Sequence, residues 1–288
     1  MLAIFEQEPW FLYACILPLG LVVGSFLNVV IYRLPLMMES QWRRDCCELL
    51  EVDKDKEDTP LTLATPNSHC PQCKAPVKPW QNIPIISYLL LRGKCGTCAA
   101  PISIRYPIIE AISGILIVAV GYHFGHSWQL VGAMLLTWAL ISLTMIDFDH
   151  QLLPDSITLP LLWLGLAFNI TGTFVSLQDA VLGAIFGYLI LWSVYWLFKL
   201  LTGKEGMGYG DFKLLAALGA WMGWQVLPVI ILMSSLVGAV VGITLMIVKR
   251  RGKEIPIPFG PYLAAAGWIS LIWGEKLLDT YLGASGIN

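Results

Sequence analysis

The chain has 288 residues, of which 57% are hydrophobic and 13% charged, with a formal net charge of −2. A soluble domain carries about 25% charged residues, so this composition, with a mean hydropathy of +0.69, excludes a single soluble core and points to an integral membrane protein. The near-neutral charge singles out no macromolecule; the lipid bilayer is the partner that composition implies, and nucleic acid is not expected.

Eight apolar segments approach or reach the roughly 20-residue spanning length. They cover residues 11–34, 106–125, 128–146, 157–175, 180–201, 213–222, 225–248 and 258–273, the sixth being short. The expected fold is an all-α polytopic membrane protein with about eight transmembrane helices. The first segment is too long for the apolar part of a signal peptide and no small-residue cleavage site follows it. Residues 1–34 then hold the first transmembrane helix, 35–104 a small extramembrane domain, and 105–288 the membrane-embedded remainder.

Orientation follows from Lys and Arg, which concentrate in cytoplasmic loops. Ten lie between Arg33 and Arg105, three more (Lys199, Lys204, Lys213) flank the loop before the sixth segment, and Lys249, Arg250, Arg251 and Lys253 follow the seventh. With eight crossings and a periplasmic N-terminus, all of these fall on the cytoplasmic side, and Lys276 alone falls on the other.

The segment 35–104 is the one long polar stretch. Its acidic part, 45–58, reads as a solvated insertion. Beyond it, "HCPQCK" and "KCGTC" place Cys70 and Cys73, then Cys95 and Cys98, in two CxxC turns. Paired turns of this kind aim four thiolates at one centre, the arrangement of a structural zinc site. The alternative, two disulfides, conflicts with a loop placed in a reducing compartment. A domain of about 70 residues has a small core, and a metal staple offsets that weakness. His69 is adjacent but surplus to four cysteines; Cys46, Cys47 and Cys15 lack ligand spacing.

Carboxylates in or beside apolar segments are candidates for function. Asp155 follows Pro154 and suits a helix N-cap; Asp179 suits another; Asp149 and His150 read as solvated turn residues. Glu110, one turn into the second segment, either pairs with Arg105 or contributes to a substrate site. Asp147 closes the third apolar run and Asp211 opens the sixth, at similar depth. Two carboxylates converging from different helices share one proton, because like charges at close range do not both ionise. One then activates water as a base while the other protonates a peptide carbonyl. In "GYGD", Gly208 and Gly210 remove side chains beside Asp211 and admit backbone angles that other residues avoid, leaving a bare wall for an extended chain.

These residues are similar to a known family. "GYGD" resembles the GxGD signature of intramembrane aspartyl proteases. "GSFLNVVIYRLP", "CPQCK" with "LRGKCGTC", "ISIRYPIIE", "IDFDHQLLPD", "GYGDFKLLAALG" and "PFGPYLAAAG", in that order over residues 24–267, resemble the type IV prepilin peptidase family in its bifunctional leader peptidase and N-methyltransferase form. The resemblance implies a bacterial inner-membrane enzyme. It implies removal of the basic leader of type IV prepilins and type II secretion pseudopilins after a glycine, on the cytoplasmic side. N-methylation of the new first residue follows, with S-adenosylmethionine as donor. It implies Asp147 and Asp211 as the catalytic pair, choosing Asp147 over Asp149. Cys70, Cys73, Cys95 and Cys98 become zinc ligands, and the cysteine loop favours the bifunctional form. Pro258 and Pro261 of "PFGPYL" leave backbone groups unpaired at a helix start, which fits a cleft wall. No glycine-rich nucleotide loop follows a predicted strand, so no Rossmann-type methyltransferase domain is expected. The acidic insertion 45–58 is complementary to a basic leader. The rival reading, a proton-coupled transporter using the paired carboxylates, lacks the inverted repeats such proteins show.

Overall fold

The computed structural model describes residues 9–51, 61–249 and 258–285; among them there is no β-sheet, only two isolated bridges, His69 with Pro76 and Lys94 with Pro101. The α-helices are α1 Pro9–Leu49, α2 Ile86–Leu90, α3 Arg105–Phe124, α4 Trp128–His150, α5 Asp155–Asn169, α6 Leu177–Thr202, α7 Tyr209–Met222, α8 Leu227–Lys249 and α9 Gly260–Ser285. Each of the eight expected segments carries one long helix, and the short α2 lies in the polar stretch. The chain forms two compact units, the first ending at His126 and the second beginning at Ser127.

Five of the helices, α1, α3, α4, α6 and α8, are long and apolar enough to cross a membrane. The others fall short for separate reasons. Helices α5 and α7 have 15 and 14 residues, or about 22 and 21 Å at 1.5 Å per residue, against a hydrocarbon core of about 30 Å. Helix α9 breaks its helical angles at Trp273.

In the first unit α1 packs on α3 through small residues, which let helix backbones approach closely in lipid. A Cβ added to Gly24 would stand 2.8 Å from the Ser113 side chain and 2.9 Å from the Glu110 Cα. The Ser113 hydroxyl donates to the Gly20 carbonyl at 2.6 Å. Helix α1 does not stop before Pro35 as the sequence suggests, but runs on to Leu49. The stretch after Pro35 is rich in Leu, Met, Glu, Gln and Arg, which favour helix, and one proline removes only one backbone bond. Residues 45–49 of the acidic insertion are therefore helical; 52–58 lie outside the described residues, as do Arg250, Arg251 and Lys253.

The second unit is built around α7. From Leu214 to Met222 every residue of that helix is buried, and α5, α6, α8 and α9 all pack against it. Glycines set the approach of α6: Gly183 and Gly219 face each other backbone to backbone, and a Cβ on Gly187 would lie 2.6 Å from the Leu215 carbonyl oxygen. The far end of α7 is closed by Asn169, fully buried. Its amide donates to the carbonyls of Ala220 (2.9 Å) and Trp221 (3.1 Å), and its oxygen accepts the N–H groups of Phe174 and Val175.

Several expected boundaries move. Helix α4 continues through His150, so Asp149 and His150 form its exposed last turn instead of a loop. Pro154, not Asp155, is the N-cap of α5; Asp155 instead meets Lys213 of α7 at 2.7 Å through both carboxylate oxygens. Ser176 caps α6. Asp179, three residues on, accepts from the Ser176 hydroxyl, the Trp224 indole and the Gln225 amide, so it ties the loop after α7 to α6.

Candidate functional site

The two cysteine turns repeat one geometry. In the first, the Cys70 N–H donates to the Ala75 carbonyl (2.9 Å) and the Lys74 N–H returns to the Cys70 carbonyl (2.9 Å); in the second, Cys95 pairs with Ala100 (2.8 Å) and Ala99 with Cys95 (2.9 Å). Lys74 and Ala99, each just after the second cysteine, both take left-handed angles, φ 56 and φ 58. The result brings all four sulfurs within 4.8 Å of one another, with Cys70 and Cys98 3.8 Å apart. Sulfurs about 2.3 Å from a tetrahedral zinc ion stand about 3.8 Å from each other, so the cluster fits that metal. His69 stays out of the ligand set, its Nδ1 3.1 Å from the Asn67 carbonyl.

Charge favours a cation at this centre. The backbone groups of Cys98 and Thr97 hold the Cys95 thiol down, to about 6, and the Cys73 and Gln72 backbone likewise lowers Cys70. Cys98 goes the other way: the Ala100 backbone lowers it, but burial and the other three sulfurs together push it up to about 11. Part of the cluster ionises readily while its last sulfur resists, which is the behaviour of crowded thiols that a divalent ion relieves.

Two buried ionisable side chains of the first unit reach toward this segment. Arg33, on α1, is 7% exposed and donates to the carbonyls of Thr62 (2.9 Å) and Pro66 (2.6 Å). Glu110, on α3, is 8% exposed, and its Oε2 accepts the Ile85 N–H at 2.7 Å. The sequence leaves Glu110 either to pair with Arg105 or to serve a substrate site; the structure adds this main-chain contact to Ile85.

In the second unit Asp147 and Asp211 are 5% and 7% exposed. Asp147 projects from the last turn of α4 and Asp211 from the first turn of α7, and they are close enough for the charge of one to act on the other. The Gly260 N–H, at the start of α9, donates to Asp147 Oδ2 at 3.0 Å. It is one of the backbone groups that a helix start leaves without an internal partner. Gly260 and Gly210 press on opposite parts of one side chain: an added Cβ would lie 3.1 Å from Leu153 Cδ2 in the first case and 2.7 Å from Leu153 Cβ in the second. Leu153 thereby lies against both Gly210, next to Asp211, and Gly260, which bonds Asp147.

The glycines of "GYGD" act through missing side chains, not unusual angles. Gly208 is extended, with φ −83 and ψ 150, and Gly210 lies within α7. A Cβ on Gly208 would find its nearest neighbour, Asp211 Oδ2, at 3.9 Å, so the backbone there is open beside the carboxylate. Pro258 precedes α9 and Pro261 lies in its first turn, bracketing Gly260. The sequence singles out the two prolines and not the glycine between them, although that place is a visible signal. Arg33, Leu153 and the Asp155–Lys213 pair were missed too, and only long-range contact reveals them.

Comparison with known proteins agrees with the geometry. Residues 18–124 match the family model described as the bacterial peptidase A24 N-terminal domain, and residues 134–243 match the one described as the type IV leader peptidase family. A "prepilin leader peptidase/N-methyltransferase" of Stutzerimonas stutzeri is 57% identical over 276 residues, 96% of each chain. Proteins of the same description are 54% identical in Pseudomonas aeruginosa, over 100% of this chain and 99% of that one, and 48% identical in Legionella pneumophila, over 98% of each. No solved structure matches. With an aspartate pair at two helix ends, a four-cysteine cluster and relatives this similar over their whole length, the chain belongs to the type IV leader peptidase family.

Proposed function

We propose that the protein is a membrane-embedded prepilin leader peptidase and N-methyltransferase, in which Asp147 and Asp211 are the catalytic dyad. The supporting observation is that two nearly buried carboxylates from separate helices lie close enough for one to feel the other's charge, with one of them oriented by the Gly260 N–H. The rival transporter reading is disfavoured, since the relatives are described as peptidases and methyltransferases.

The chemistry follows from the pair. With one proton between them, one carboxylate takes a proton from a water held in the dyad and the water attacks the peptide carbonyl; the other carboxylic acid protonates the carbonyl oxygen. Collapse of the tetrahedral adduct breaks the C–N bond and returns a proton to the leaving amine, with no covalent enzyme intermediate. The bond from Gly260 fixes Asp147 before substrate arrives, the preorganisation on which such catalysis depends. The bare backbone at Gly208 and Gly210, with Pro258 and Pro261 at the start of α9, provides a wall along which an extended substrate segment lies.

Eight crossings with a periplasmic N-terminus put the dyad and the cysteine segment on the cytoplasmic face of the inner membrane, where 17 of 18 basic residues then fall. The short α5 and α7 cross only as part of the packed bundle. Cys70, Cys73, Cys95 and Cys98 would hold a structural zinc ion, which would brace the segment and supply no chemistry of its own. S-adenosylmethionine supplies an electrophilic methyl group for the new N-terminal amine. Among the described residues there is no sheet-borne nucleotide loop to assign to it.

The deciding experiment gives purified enzyme a precursor pilin and labelled methyl donor, and reads the product's first residue by mass spectrometry. Cleavage after glycine with a methylated new terminus is expected. Asp147→Asn and Asp211→Asn should each lower cleavage roughly 10³-fold, within the range for loss of a general acid or base. Near-normal cleavage by either variant removes that residue from the dyad.

A further inference from the structure

Ile85 stands midway between the two cysteine turns, and its backbone is strained. Its angles are φ 60 and ψ −50, and the Ile86 N–H reaches back over it to the Pro84 carbonyl at 2.5 Å. This is a γ-turn of the rare positive-φ kind, built on a β-branched residue, for which positive φ is an outlier. Such a conformation persists only where its surroundings over-determine it. Here the restraint is the Glu110 carboxylate, which takes the Ile85 N–H at 2.7 Å. Glu110 is itself set in place by the close approach of α1 at Gly24.

Arg33 makes the complementary contact. From α1 it donates to the carbonyls of Thr62, Leu63 and Pro66, just ahead of the first cysteine turn. A buried cation therefore grips backbone acceptors before Cys70, and a buried anion grips a backbone donor between Cys73 and Cys95. Neither touches a sulfur. Both charges take main-chain partners in the segment, and Glu110 is also hydrogen-bonded by the Ser25 side chain.

We propose that Arg33 and Glu110 are positioning residues that dock the metal-binding segment onto helices α1 and α3 at two points, independently of the metal, and that this docking sets the rate of methyl transfer. The second half rests on the reading of the segment as serving methylation. The metal closes the segment on itself; the two side chains fix where it stands on the helices.

The test uses full-length enzyme in lipid nanodiscs with Glu110→Ala, Glu110→Gln, Arg33→Gln and Arg33→Lys. Three quantities are read: bound zinc per chain, amide hydrogen exchange at Ile85 and across 62–66, and methylation of a cleaved pilin. Glu110→Ala should keep one zinc, exchange Ile85 at least tenfold faster, and lower the methylation kcat about tenfold with the KM for methyl donor within threefold. Glu110→Gln retains an acceptor oxygen and should restore both protection and rate. Arg33→Gln should loosen 62–66 with the same loss of kcat, and Arg33→Lys should recover part of it. Zinc lost in Glu110→Ala, or unchanged exchange, overturns the docking. A protected but inactive Glu110→Gln overturns it differently, by showing that the charge itself takes part in the chemistry. Should wild-type enzyme fail to methylate, the functional reading fails while the exchange data still decide the docking.

Discussion

In the first unit the buried ionisable side chains grip main chain: Arg33 and Glu110 reach from membrane helices to backbone groups of a small polar segment, in which four sulfurs converge on one centre. In the second unit the buried ionisable side chains are close enough for the charge of one to act on the other. Asp147 and Asp211 sit where packing of α4, α7 and α9 delivers them, and the helices around them meet through glycines too tight to admit a methyl group. On the proposed zinc reading the first arrangement depends on ligand chemistry, and a chelator would undo it. The second depends on close packing and is undone by adding atoms. Each therefore has its own way of failing, and the two failures should separate the two activities.

The largest effect is expected at the metal. Apparent binding free energies of structural zinc are about 10–16 kcal/mol, far more than a segment of this size gains from its core. Cys95→Ser, or prolonged chelation, should remove any bound zinc, expose residues 61–104 to protease and abolish methylation, while leader cleavage stays within about threefold in an assay at saturating substrate. Equal loss of both activities would break the comparison. The pH dependence has a definite sign. Cys95 is a thiolate above about pH 6, whereas Cys98, at about 11, must release its proton to bind. Zinc uptake should therefore liberate protons and weaken as pH falls, measurable by titrating zinc into metal-free protein in two buffers.

Next in size is Gly260→Ala. The new Cβ would stand 2.6 Å from Asp147 Oδ2, and the carboxylate must move. A displacement of about 1 Å in a catalytic group costs about 10²-fold in rate. Cleavage should fall by that factor with the protein folded and its zinc retained, and methylation of an already cleaved substrate should not change. Normal cleavage would mean that the Gly260 bond does not orient the dyad.

The apolar segments, the cysteine turns and the aspartates at two helix ends were legible in sequence because each is a local pattern: a run, a spacing, a charge at a boundary. What stayed hidden depends on distant partners. Nothing near Asn169 says that it closes α7 fifty residues later, and nothing near Glu110 points to Ile85. The continuation of α1 past Pro35 was masked by polarity, since the residues that end an apolar run there are good helix formers. The glycines of "GYGD" do not take the unusual backbone angles the sequence suggests, because such angles are visible only in three dimensions.

The smallest effect separates packing from charge in the second unit. Asp155 and Lys213 join the N-terminal ends of α5 and α7 at 2.7 Å, with side chains 55% and 27% exposed. Exposed pairs contribute about 0–1 kcal/mol and weaken with salt. Asp155→Asn should therefore lower the melting temperature by only a degree or two, an effect that fades in high salt, and leave cleavage within about twofold. Lys213 lies two residues from Asp211, so the same variant also asks whether this ion pair helps aim the dyad. If cleavage fell as far as with Gly260→Ala, charge as well as packing would be holding the aspartates. The contrast between the two units would then lie in which groups the charges grip, and no longer in whether charge is used at all.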